Sequence, residues 1–523
     1  MHKPSEPRSA RNPARSAARA ADAGAARRPL PAAAAALAAL LASGCSLIPA
    51  YERPAAPIAA SWPDAVRTAA SATGGIQPDD SASADRTPAV ERNWQDFFPD
   101  ERLRRLIDIA LQNNRDLRGA ALNIEQARAQ FQIQRANQFP TVGLAVAGTR
   151  APSVVDGRIR NSFTAGLAVS AWEIDFFGRL ASLKEQALAQ YLATEEARKA
   201  VQISLVAAVA NNWLALLADE ELLDISRRTV DTRDESIKLA RLRLENGVAS
   251  ELDFRQAESL AEAARATLAQ QQRQRAQDEN ALALLLGQPL PEDLRASLQG
   301  NRLADARPLP DLPAGLPSDL LRNRPDIRQA EQALIGANAS IGAARANFFP
   351  RISLTAQAGR ASGELSGLFN GNGAWGFTLA PQLLQPLFDA GRNRAGLASA
   401  QVGRDIAVAQ YEKSIQSAFR EVSDALAGRA TLTEQVRALQ AQAEAEAARF
   451  KLSDLRYRNG ISSYLDLLDA QRSLFSVQQL VVQSRLAEVQ NQVTLYKVLG
   501  GGWTEPAEAS EVQARASEPR PAR

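Results

Sequence analysis

One register relates the two halves of this chain. NNRDLRGAALNIEQARAQFQIQRANQFPTVGLAVAG (113–148) matches NRPDIRQAEQALIGANASIGAARANFFPRISLTAQAG (323–359), DFFGR (175–179) matches FDAGR (388–392), and Leu286-Gly287 matches Leu499-Gly500. The offset is 210 at the start of this stretch and 213 beyond it, so only the middle changed length. One supersecondary unit therefore occurs twice, and each copy must bury its apolar faces on the other or on further chains. Each unit reads helix, strand, loop, strand, long helix, tip, shorter helix. The first spans 96–314, with strands at about 139–175, a long helix at 179–246 and a tip at 246–253. The second spans 315–502, with strands at about 349–387, a long helix at 392–459 and a tip at 459–469.

The helices are read from their spacing. Val408, Tyr411, Ile415, Phe419, Val422 and Leu426 recur in steps of three and four, and Val206, Val209 and Trp213 repeat that seam. This is the pattern of a coiled coil. First helices are expected over about 101–137 and 317–347, and returning helices over 251–286 and 464–499. With aromatics at only 5%, a chain this thin is expected to lack a globular core and to need other subunits along its seams.

The tips read ENGVASELDFRQAESL (245–260) and RNGISSYLDLLDAQRSL (458–474). Gly after Asn closes a helix C-terminus in the left-handed conformation. Ser250 and Ser463 then stand at N-caps, with Asp253 and Asp466 at N3, a variant capping box. Asp469 lies a turn further and its repeat counterpart is Gln256, so capping does not account for it. Two readings stand: a solvated surface, or a pore mouth where several tips converge. In the second, Asp466 and Asp469 form stacked acidic rings, Leu465 adds an apolar constriction and Arg472 offsets the charge.

Four segments switch to period two: Val142-Leu144-Val146, Phe163-Ala165-Leu167-Val169, Ile352-Leu354-Ala356-Ala358 and Trp375-Phe377-Leu379. Small or polar residues alternate with them, as in transmembrane β-strands, and Gly-rich polar loops are expected at 149–162 and 360–372. Soluble hairpins are the alternative. If the strands do span lipid, four cannot close a barrel and open edges are forbidden there, so several copies must pool theirs.

The first 28 residues carry seven Lys/Arg against two acids, so this segment's +5 exceeds the chain's +3 and leaves the rest at −2. No nucleic-acid partner is inferred. PLPAAAAALAALLASG (29–44) follows, and 1–44 reads as a signal peptide. Leu41-Ala42-Ser43-Gly44-Cys45 resembles a bacterial lipobox, with Cys45, the only cysteine, as the lipidation site and Ser46 consistent with outer-membrane sorting. Residues 45–95 are expected to form a lipidated tether and 503–523 a disordered tail. The single histidine is His2. Cys/His nucleophiles, Ser-His-Asp triads and His or Cys metal sites are thereby excluded, no phosphate loop is present, and the chain reads as a non-enzyme without cofactor or metal.

The lipobox, the repeat, NFFP, FDAGR and YRNGISSYLDLLDAQRSL together resemble an outer-membrane factor of the TolC/OprM type, in its NodT-type lipoprotein branch. That resemblance implies a mainly α fold with a transmembrane β part. Three copies would make a 12-stranded β-barrel continued by a periplasmic coiled-coil α-barrel. It implies a lipid-anchored outer-membrane homotrimer docked to a periplasmic adaptor (membrane fusion) protein and an inner-membrane RND-type transporter, exporting drugs, toxic small molecules or metal ions. By position it implies a gate of Leu465, Asp466, Asp469 and Arg472, and a tether between Tyr457 and Asp253. The arginine of that tether falls at Ser462, so its salt bridge is absent. A type I protein-secretion duct and a non-conducting structural lipoprotein are the alternatives.

Overall fold

The computed structural model describes residues 46–59, 61–62, 88–152, 157–298, 300–313 and 317–503. The expected leader, Cys45 and the tail beyond 503 lie outside the described residues. The first repeat holds α1 (Trp94–Phe97), α2 (Glu101–Asn113), α3 (Arg115–Ala136), β1 (Val142–Pro152), β2 (Ile159–Ile174), α4 (Arg179–Glu245) and α5 (Glu251–Leu286). A short α6 (Glu292–Ala296) follows. The second repeat holds α7 (Leu320–Asn323), α8 (Pro325–Ala346), β3 (Arg351–Ser362), β4 (Ala374–Leu384), α9 (Arg392–Arg458) and α10 (Tyr464–Val498). The long helices α4 and α9 have 67 residues each, about 100 Å at 1.5 Å per residue.

Each expected first helix is in fact two. Asn114 is extended (φ −61°, ψ 131°), and its side chain accepts from Asp116 N and Leu117 N at 2.9 Å, ending α2 and capping α3. At the equivalent Arg324 the following Pro325 forces the break and opens α8. The loops between strands are also shorter than expected, because β1 runs to Pro152, β2 begins at Ile159 and β3 reaches Ser362.

Positions related by the repeat make the same bonds with different side chains. Asn114 Nδ2 donates to Leu285 O (2.9 Å), and Arg324 Nη1 to the equivalent Val498 O (3.3 Å). Trp172 Nε1 donates to Gln138 O (3.3 Å), and Gln385 Nε2 to the equivalent Phe348 O (3.1 Å).

The chain does bury a core of its own, against the expectation from its thinness. Trp94, Phe97, Phe98, Leu106 and Ile107 pack against Val209 and Trp213 of α4, Leu282 and Leu286 of α5 and Tyr496 of α10. Phe97 stacks on Tyr496 at 4.0 Å, and Tyr496 Oη donates to Arg92 O (2.7 Å). The seam residues Tyr411, Ile415 and Val422 belong to the same cluster, with Val408 and Phe419 partly buried beside them.

The four strands form one antiparallel sheet in chain order. Its register brings all four apolar sets to one face: Val142, Leu144 and Val146 lie opposite Val169, Leu167 and Ala165, while Ile352, Leu354 and Ala356 lie opposite Leu383, Pro381 and Leu379. A bulge between Val169 and Trp172, with Ala171 at φ 46°, keeps Trp172 and Ile174 on that face, opposite Leu354 and Ile352. The other face carries small and polar residues such as Ala145, Thr164, Gln357 and Thr378, so the sheet is apolar on one side and wettable on the other.

The tether is extended but fixed. Asn338 Nδ2 donates to Pro49 O (2.8 Å), Arg345 Nη1 to Leu47 O (3.3 Å), and Arg53 grips Glu331 through two bonds of 2.7 and 2.8 Å. Trp62 stacks on Phe419 at 5.0 Å. Residues 46–59 and 61–62 thus form a strap along α8 and α9.

Between α4 and α5 lies a buried carboxyl. Burial, with the neighbouring Asp278 carboxyl adding to it and Arg275 opposing, pushes Asp219 up to about 8, and among the described residues its Oδ2 has no hydrogen-bond partner. Glu220 also faces it. A carboxyl raised this far is neutral in the fold near pH 5, and the fold loses stability as pH rises from the unfolded value toward 8. Asp219→Asn will therefore be more stable than the parent at pH 8.5, by on the order of 1–3 kcal/mol, and show a much smaller gain at pH 4, close to the unfolded value. A melting comparison at the two pH values checks this; a gain that is the same at both would refute it.

Candidate functional site

Both tips are built from the same local signals. After α4, Gly247 turns left-handed (φ 72°), and Val248 N donates to Arg243 O (2.9 Å); after α9, Gly460 (φ 73°) turns and Ile461 N donates to Arg456 O (2.8 Å). These bonds use carbonyls that a helix end leaves open. Ser250 and Ser463 then start α5 and α10 in complete capping boxes. Asp253 N donates to Ser250 Oγ and Ser250 N to Asp253 Oδ2, both at 3.2 Å, and the Ser463–Asp466 pair repeats this at 3.3 Å. Asp253 and Asp466 are thus both held by their own caps.

Asp469 is held differently. It is ion-paired with Arg449 of α9, and its Oδ1 accepts from Arg472 Nη2 (2.8 Å). The hydrogen bond from Arg449, then that from Arg472, holds its carboxyl below the ordinary carboxylate value. Arg449 also pairs with Glu446 (3.1 Å). Within the protomer Asp469 is therefore a staple across the second hairpin, with two guanidinium groups beside it, rather than a bare acid. Leu465 is 63% exposed, and Ile461, Val248 and Leu252 give the tips further exposed apolar ends.

Behind the tips, the two hairpins meet. Tyr457 and Tyr464 are buried with rings 5.2 Å apart, packed with Ala240, Phe254, Ala257 and Leu467. The Arg243 guanidinium lies 4.4 Å from the Tyr457 ring centre, a cation–π contact between hairpins. Among the described residues of the protomer no hydrogen bond joins Tyr457 to Asp253, and Tyr457 instead makes this aromatic contact. Burial raises the Tyr464 hydroxyl above its usual value, and among the described residues that hydroxyl has no hydrogen-bond partner.

Further along, a cavity of about 220 Å³ opens between α4, α9 and α10, lined by Arg228, Thr232, Arg233, Phe450, Gln471 and Phe475. Arg233 is buried there, donating to Leu260 O (2.7 Å) with its guanidinium over Phe475. Arg243 and Arg233 find these partners on other helices, and the i,i+3 pair of Arg449 with Glu446 does not signal its bond to Asp469 on α10. Arg472, three residues from Asp469 on one helix face, was legible. Among the described residues no group of His, Cys, Asp or Glu could hold a metal ion.

The sequence profile of a family described as outer membrane efflux protein matches residues 106–288 and 316–501. The chain is 46% identical over 492 residues to the probable efflux pump outer membrane protein TtgC of Pseudomonas putida, covering 93% of this chain and 98% of that protein. It is 42% identical over 485 residues to outer membrane protein OprJ of Pseudomonas aeruginosa, covering 92% and 97%. Its fold is similar to the open state of the MtrE outer membrane channel of Neisseria gonorrhoeae, with TM-score 0.75 and 40% identity over 88% of this chain and 99% of that one.

Proposed function

This chain belongs to the outer membrane efflux protein family, and from that premise we propose how it works. It is the outer-membrane exit channel of a tripartite RND-type efflux system. Three copies pool four strands each into a 12-stranded barrel, and their helices continue it as a tube into the periplasm. A periplasmic adaptor and an inner-membrane transporter complete the path. Relatives named for antibiotic and toluene efflux support a cargo of drugs and other toxic small molecules.

The observation that carries this reading is the sheet. One face is apolar, the other is small and polar, and both outer strands keep a free edge. Such a sheet is stable in lipid only when copies close it around water. A structural strut needs no wettable face. Export itself involves no covalent step, so the chain acts by shape and charge.

The gate is assigned to Leu465, Asp466, Asp469 and Arg472, now joined by Arg449. Three stapled tips narrow the periplasmic mouth, and contacts with the adaptor favour a splayed arrangement by population shift. Cys45 carries the lipid, and the strap from residue 46 leads from it along α8.

The test is dye efflux from intact cells. Cells lacking this chain will retain a fluorescent apolar dye that the parent strain expels, and expressing the chain from a plasmid will restore expulsion. Unchanged dye export in the deletion, with a secreted polypeptide trapped instead, would favour the protein-secretion duct.

A further inference from the structure

The seam between copies has a template inside the chain. We propose that β4 of one copy pairs with β1 of the next in the register of the chain's own β2–β3 seam. Leu383 then lies opposite the neighbouring copy's Val146, Gln385 opposite its Leu144 and Leu387 opposite its Val142. Phe388 closes the periplasmic end of that seam over the neighbour's Phe139. The inference rests on the trimeric barrel proposed above.

The register follows from the repeat. Residues of β1 recur in β3 at an offset of 210, as Phe139-Pro140 and Phe349-Pro350 show. Val142 faces Val169 and its counterpart Ile352 faces Leu383, so Leu383 holds the place of Val169. Across the internal seam Val169 faces Ala356, whose counterpart in β1 is Val146. Beyond the bulge, Trp172 and Gln385 donate to equivalent carbonyls, so Gln385 holds the place of Trp172. Trp172 faces Leu354, whose counterpart is Leu144.

Both routes give one uninterrupted antiparallel register, so β4 needs no bulge. It also keeps the apolar Leu383 and Val146 on the same face, whereas a slip of one residue would set them against small lumen-side groups.

The aromatic end follows in the same way. In the internal seam Phe349 stacks on Phe177 at 4.8 Å, and the Arg351–Glu173 ion pair (2.6 Å) lies beside it. In the seam between copies these places fall to Phe139, Ala390, Thr141 and Pro386, so no charge pair is available there. Phe139 is left 65% exposed with only a small alanine opposite. Phe388, two residues earlier and 90% exposed, is a diagonal neighbour within aromatic reach and fills that gap.

The test uses the full chain with Leu383→Cys and Val146→Cys, oxidised or treated with dibromobimane, which bridges only nearby thiols. Covalent dimers and trimers are expected on non-reducing gels. The single variants and the parent, whose only cysteine is Cys45, will stay monomeric. Cross-linking of a slipped Leu383→Cys/Leu144→Cys pair instead would overturn the register while leaving the trimer standing. The register falls equally if neither pair links while native mass reads three chains. A native mass of one chain would instead sink the barrel reading itself.

For the aromatic end, Phe388→Ala and Phe139→Ala will each lower the temperature at which the trimer dissociates by several degrees. The double variant will fall no further than the worse single. Additive losses would show that the two rings do not meet.

Discussion

Trimers carrying Asp469→Ala will pass several-fold more current in planar bilayers than the parent, and their reversal potential will move toward anion preference. The staple explains both effects. Among the described residues Asp469 alone ties Arg449 of α9 to the start of α10, and it also balances Arg472. Without it Arg449 keeps Glu446, the hairpin is free to splay, and Arg472 projects an unmatched charge in each of three copies. Arg449→Ala makes the useful contrast: it opens the same staple but removes a positive charge, so conductance rises without the anionic shift. Asp466→Ala removes a cap instead, with a stability loss of about 1 kcal/mol and no comparable change in selectivity. Identical conductance and selectivity in Asp469→Ala and parent would place the gate elsewhere.

Gly166→Val will abolish the trimer rather than weaken it. Gly166 and Gly359 face each other across the internal seam, and a Cβ on either would overlap the opposing backbone, at Ala358 O and Ala165 O respectively. Backbone cannot give way as a side-chain end can, so the strands must part and leave unpaired N–H and C=O groups in lipid. Gly143→Val is the control, since nothing of the same protomer lies within 4 Å of its missing Cβ, which stands on the small-residue face of β1. Heat-dissociable trimers on gels of purified membranes will be present for Gly143→Val and missing for Gly166→Val. Normal trimers in both would show that the seam tolerates a side chain.

What could be read from the sequence was what is written locally. The tip glycines, the serine caps, the alternation of the strands and the coiled-coil seam each depend on residues within a turn or two, and each falls where the spacing placed it. Pairings across elements were not legible. Arg449 meets Asp469 only because the hairpin register sets them side by side, 20 residues apart. The core was missed because a chain average of 5% aromatics hides their concentration in one layer around Trp213 and Tyr496. The breaks at Asn114 and Arg324 were signalled by NNRD and NRPD, but the continuous helical pattern on either side masked them. The Tyr457–Asp253 pairing came from resemblance alone, and the local cap took the carboxylate.

The strap carries a mechanical consequence. Leu47 is held at Arg345, six residues before β3 begins, so the start of the strap is moored level with the near ends of the strands. The mooring line has no slack, because Arg53 and Trp62 are pinned further along it. A downward pull on the tips by an assembled pump is then resisted in shear by the strap's bonds to α8 and its ring contact on α9, and the barrel keeps its depth in the bilayer while the far end moves.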